Sequence, residues 1–86
     1  MEENEQHEKF ATTGQAFEIE AAIDERGPRT FKIVPSFGQY LVYSDEEMCS
    51  CIQLNDENEW EQIEGSYTDG VVSIIGREIL RVRNLI

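Results

Sequence analysis

The fold turns on residues 69–86: Asp69-Gly70-Val71-Val72-Ser73-Ile74-Ile75-Gly76-Arg77-Glu78-Ile79-Leu80-Arg81-Val82-Arg83-Asn84-Leu85-Ile86. Wound at 100° per residue, Val71, Val72, Ile74, Ile75, Ile79, Val82, Leu85 and Ile86 fall within an arc of roughly 160°. Arg77, Glu78 and Arg81 fall outside it. Thr68 or Asp69 can cap the N-terminus, and Arg77, Arg81 and Arg83 stand where the helix dipole favours cations. The abundance of Val and Ile and the glycine at position 76 oppose a helix on intrinsic propensity. The alternative is a strand Val71–Ile75, a turn at Gly76 and a second strand Ile79–Arg83. One helix is the reading adopted, because it accounts for all eight apolar positions with a single buried stripe.

Upstream, the period changes from 3.6 to 2. Phe17, Ile19, Ala21 and Ile23 alternate with Glu18, Glu20 and Ala22, as on a half-buried strand. Glu25-Arg26-Gly27-Pro28 is turn chemistry, and Arg29–Val34 forms a second strand with Phe31 and Ile33 inward. Pro35-Ser36-Phe37-Gly38 is the next turn. Gln39–Ser44 is a third strand, too apolar to assign a face, and Asp45-Glu46-Glu47 breaks it. Met48–Leu54 is a fourth strand, with Cys49 and Cys51 on one face and Ile52 and Leu54 on the other. Asn55-Asp56-Glu57-Asn58 is a polar turn. Glu59–Glu64 is a fifth strand with Trp60 and Ile63 one residue off strict alternation, which points to a bulge or an early end. The expected architecture is α+β: an antiparallel meander of four to five strands with one C-terminal amphipathic helix packed on one face. Residues 14–86 form this single domain, and residues 1–13 read as a flexible acidic arm.

The chain has 86 residues, 18 of them acidic against 7 Lys and Arg, for a net charge of -11. A single domain is all that this length holds. The charge disfavours direct nucleic-acid binding and an anionic membrane surface, since both call for clustered cations. No apolar run approaches the roughly 20 residues of a membrane span, and Met1-Glu2-Glu3-Asn4-Glu5 is the reverse of a basic signal sequence. The expected location is cytoplasmic. Cys49 and Cys51 are read as two free thiols. Marginal stability makes homodimerisation an ordinary way to gain buried area.

Catalytic and cofactor signatures are sparse. The single histidine, His7, lies in the acidic arm, and no phosphate-cradling or nucleophile-elbow motif is present. One C-x-C does not supply four ligands for structural zinc, and the acids near Asn55 lack calcium-loop spacing. No enzyme activity, cofactor or metal is expected. What stands out is charge: from Ile33 to Gly76 there is no Lys or Arg, while nine acids lie in that stretch. Asp45, Glu46 and Glu47 belong at one end of the sheet. Asp56, Glu57 and Glu59 belong at the other, and Glu61 projects from the fifth strand. Trp60 is either a core residue under the helix or an exposed aromatic anchor. These eight residues are the candidate interaction set of a small acidic protein-binding domain whose partner is basic. Two alternatives are an acidic mimic of DNA that inhibits a nucleic-acid-binding protein, and a sheet domain binding a small molecule or cation near Tyr40, Tyr43 or Trp60.

Overall fold

The structure, a computed structural model, describes residues 14–83. The acidic arm 1–13, and Leu85 and Ile86 of the apolar arc, lie outside the described residues. Five strands follow one another: β1 (Phe17–Ala22), β2 (Pro28–Ser36), β3 (Gln39–Ser44), β4 (Glu47–Leu54) and β5 (Trp60–Gly65). They form one antiparallel meander in the order β1-β2-β3-β4-β5. Helix α1 (Asp69–Arg83) packs on one face, against β1, β4 and β5.

The helix forms despite its composition because burial outweighs propensity. Val72, Ile75 and Ile79 are buried, and each gains about 1.5–3 kcal/mol from leaving water. Helix propensity costs such residues only about 0.5 kcal/mol. Thr68 is the cap: its Oγ1 accepts the Val71 N–H at 3.3 Å, and its carbonyl accepts the Val72 N–H at 3.0 Å. Asp69 lies in the first turn and Arg81 and Arg83 in the last, as the helix dipole favours. Arg83 extends its guanidinium 5.9 Å from the Phe17 ring centroid and 5.7 Å from that of Tyr40. The core beneath α1 holds Ile19, Ala21, Phe31, Ile33, Val42 and Ile52, aligned by the registers Ile19↔Phe31 and Ile33↔Val42.

Two strand ends differ from expectation. Pro28 opens β2 opposite Ala22, and Pro35 stays within β2 opposite Tyr40. Pairing between β1 and β2 stops at Phe17↔Ile33, so Pro35 lies on an edge segment, where a residue without an N–H is tolerated. The β2–β3 turn therefore shrinks to Phe37 and Gly38, with φ of 50° and 83°. The β3–β4 turn likewise shrinks to Asp45 and Glu46, φ 52° and 70°, with Glu47 already in β4. Two positive φ angles in a two-residue hairpin turn are the type I′ pattern, whose twist matches that of the strands.

The irregularity expected in β5 is present as a register shift between Cys51↔Glu64 and Ile52↔Gln62, which leaves Ile63 in a bulge. A second shift separates Val42↔Ser50 from Tyr43↔Met48 and leaves Cys49 without a partner on β3. Cys49 and Cys51 therefore do not form the simple same-face pair that strict alternation gives. Both are free thiols, Cys51 buried and Cys49 half-buried. The outer strands β1 and β5 carry Glu18, Glu20, Glu61 and Glu64, charges that discourage pairing of sheet edges between molecules.

Candidate functional site

The helix covers one face of the sheet, and no described element packs on the other. That open face is ordered in cross-strand rows. Val34, Leu41, Cys51 and Glu64 stand side by side across β2 to β5. On one side of that row runs Glu18-Lys32-Tyr43-Met48, and on the other Ser36-Gln39-Gln53-Glu61. The middle is apolar but largely closed to water, with Leu41 and Cys51 buried and Val34 half-buried; carboxylates stand at the margins, and Lys32 is the one cation in these rows. At the β3–β4 end a shallow groove of about 580 Å³ is lined by Glu18, Thr30, Lys32, Tyr43, Asp45 and Glu46.

The polar row is a connected ladder. Gln39 Nε2 donates to Gln53 Oε1 at 3.4 Å, and Gln53 Nε2 donates to Glu61 Oε1 at 3.2 Å. Asn55 Nδ2 donates to the other Glu61 oxygen at 3.1 Å. The Asn55 hydrogen bond and then that from Gln53 hold the Glu61 carboxyl below the ordinary glutamate value. The Cys51 thiol donates to Gln39 Oε1 at 3.3 Å. Burial, and then the nearby Glu64 carboxylate, push this thiol's pKa up, which disfavours a thiolate nucleophile.

The eight candidate residues do not form one patch. Asp45, Glu46 and Glu47 lie at the β3–β4 end, and Asp56, Glu57 and Glu59 at the β4–β5 turn. The eight residues of β4 separate these ends by about 25 Å. The second group rides on an ordered loop. Asn55 Oδ1 accepts the N–H groups of Glu57 (2.8 Å) and Glu59 (3.0 Å), and the Asn55 N–H donates to the Glu59 carbonyl at 2.8 Å. Only Glu61 of the set is tied into the open-face ladder.

Trp60 lies on the helix side, half-buried, with its ring centroid 5.9 Å from that of Tyr40. Its indole atoms Cδ2, Nε1 and Cε2 occupy the space that a side chain at position 76 would need, so Gly76 is what seats the ring. Tyr43, by contrast, is on the open face, so the three rings named as candidate ligand contacts do not line one cavity. The helix side also holds a polar hub. The buried Ser50 hydroxyl donates to Gln62 Oε1 at 2.7 Å, Gln62 Nε2 donates to the Tyr67 carbonyl at 2.9 Å, and the Tyr67 N–H returns to Gln62 Oε1 at 3.1 Å. This hub fixes the exit from β5 into α1. Burial, and then the hydrogen bond to Cys49, push the Tyr67 hydroxyl from 10.0 to about 12.

The charge is polarised in space as well as along the chain. Arg77, Arg81 and Arg83 belong to α1, on the covered side, and Glu78 draws Arg81 to 3.5 Å. At the β1–β2 turn Arg29 binds Asp24 at 2.9 Å, and the Arg26 N–H donates to the same carboxyl at 2.9 Å. That backbone hydrogen bond and the two arginine charges hold Asp24 below its ordinary value. Phe37, passed over in the sequence as one residue of a turn, is 71% exposed at the β2–β3 tip. The available signal was an aromatic beside Gly38 at a hairpin position that favours Asn or Asp.

Among the described residues no group of three His, Cys, Asp or Glu is placed to hold a metal ion, and no helix is long and apolar enough to cross a membrane. Comparison with protein families, with curated proteins and with solved structures returns no match.

Proposed function

We propose that this chain is a small acidic protein-binding domain, without catalytic activity of its own, whose partner is basic. The observation that carries the reading is the charge of the open sheet face, where Glu18, Glu61 and Glu64 stand at the margins of the rows while the arginines of α1 stand on the opposite side. A predominantly acidic margin, with Lys32 its one cation, sets the sign of the partner and speeds encounter with it. The same field repels nucleic acid and anionic lipid. Two free thiols, one of them buried, suit a reducing compartment, and on that basis the domain is read as cytoplasmic.

The test is affinity capture on the immobilised full chain at roughly 50 mM and roughly 500 mM salt, followed by reconstitution with the purified partner. A basic protein retained at the lower salt, released at the higher and rebound when pure is the expected result. Retention of nothing at either salt, or of acidic proteins only, contradicts the reading.

A further inference from the structure

We propose that the outer edge of β1, with the groove between it and α1, takes up an extended segment of the basic partner in which an acidic residue stands next to a basic one. The inference rests on the protein-binding reading and deepens it by naming the mode of docking and the pattern of the segment. β1 ends the sheet, and among the described residues no strand pairs with its outer side. Alternate residues of such a strand direct N–H and C=O groups outward, where an added strand bonds to them. Beside that edge runs a groove of about 430 Å³ between β1 and α1. Ala21 and Ile74 give it an apolar lining, Arg77, Glu78 and Arg81 form its helix wall, and Glu20 stands on the strand side. The outer edge of β1 thus offers backbone hydrogen bonds, apolar surface and charge of both signs within one segment's reach.

The charges specify the occupant. Side chains of an added strand alternate between the helix side and the open face. On the helix side they meet Arg77 and Arg81. Glu78 draws Arg81 to 3.5 Å, and Arg77 has no ion pair among the described residues, so this wall keeps a surplus positive charge. On the open face they meet Glu20. Its neighbour on β2 is Thr30, whereas Glu18 has Lys32 opposite, so Glu20 is the carboxylate left for an incoming cation. Unlike charges placed side by side on neighbouring strands stabilise the pairing, and like charges weaken it. The fitting segment therefore sets Asp or Glu toward Arg77 and, at the adjacent residue, Lys or Arg toward Glu20. A second copy of this chain added through its own β1 brings Glu18 and Glu20 to an edge that already carries both.

The experiment titrates the full chain, by fluorescence anisotropy, with labelled synthetic peptides rich in Thr and Val. In the first peptide a Glu stands between two Lys. A second has the same composition with the Glu and the Lys moved to opposite ends. A third is the first with every second backbone nitrogen methylated, prepared in both phases. Wild type is compared with the double variant Arg77→Gln, Arg81→Gln and with Glu20→Lys, all at exposed positions that tolerate the change. The first peptide is expected to bind more tightly than the second, and each variant to weaken it by about tenfold. Methylation in one phase abolishes binding and in the other leaves it, the signature of a strand bonded along one edge. Equal affinity of wild type and both variants for the first peptide overturns the groove as its site and leaves the protein-binding reading standing. Binding that survives methylation in both phases overturns strand addition. Absence of binding to every peptide overturns the inference as well, while the affinity capture above judges the protein-binding reading separately. Binding that appears only once Glu2, Glu3, Glu5 and Glu8 are changed to Gln assigns the arginines to the chain's own N-terminal acids and overturns the partner as occupant.

Discussion

The hydrogen that Gly76 carries in place of a side chain lets the indole of Trp60 lie against α1. Gly76→Ala should therefore destabilise the domain, although alanine is the better helix former. The propensity gain is about 1 kcal/mol, whereas forcing the indole aside costs about 1–3 kcal/mol, for a net loss of up to about 2 kcal/mol. Chemical denaturation of the variant checks the sign, and a rise in stability would exclude the close packing. This contact was not legible in the sequence, where Gly76 counted against a helix. Propensity is local, whereas the reason for this glycine lies on a strand 16 residues earlier. Tyr67 supports a second prediction. Its folded pKa is raised from 10.0 to about 12, so the unfolded chain loses this proton first. The stabilisation is complete below pH 10 and is lost as pH rises from about 10 through 12. Melting temperatures measured across that range should fall more steeply for wild type than for Tyr67→Phe.

Among the elements, the hairpin turns combine what was readable with what was not. Asp45-Glu46-Glu47 marked a break by its charge, but nothing in those residue types announced a two-residue turn with both φ angles positive. Glu46, at φ 70°, occupies the position where glycine is preferred. Glu46→Gly should therefore stabilise the domain by about 0.5–1 kcal/mol, the left-handed penalty less the entropic cost of glycine. A shift of the urea midpoint to higher concentration with an unchanged slope would register it. The strand β2 outran its expected end for a related reason. Pro35 reads as a turn residue when its neighbours are unknown, and the edge that accommodates it exists only because β1 stops opposite Ile33. The helix was legible because its signal is a period, summed over many residues, which no single glycine erases.

Across the whole molecule, the decisive quantity is the distribution of the net charge of -11. The sequence located the acids along the chain and correctly assigned the two turn clusters to opposite ends. Of its two readings of Trp60, the one under the helix is the one the structure takes, although a bulge in the β4–β5 ladder breaks the alternation that would have assigned its face outright. The sequence did not single out the open face, since β3 was apolar on both sides and its faces separate only once Val42 pairs with Ile33 and Leu41 with Val34. Among the described residues Asp24 and Glu78 are the carboxylates in ion pairs, and most of the others have no such cation, so self-repulsion should weaken the fold at low ionic strength. Raising salt from roughly 10 mM to roughly 200 mM shortens the screening length from about 30 Å to under 10 Å. The melting temperature should rise over that interval in chloride salts, and a flat response would mean that the carboxylates are neutralised within the molecule.

The meander has a kinetic consequence. Every strand pairs with its neighbour in sequence, so the sheet can zip up through local loop closures of low entropic cost. The exception is α1, which packs against β1, the strand farthest from it along the chain. Until that closure the apolar side of the sheet, Phe31 and Ile33 included, stays wet. The docking of α1 is therefore the step that commits the chain, and Trp60, seated against Gly76, is an intrinsic fluorescent clock for it.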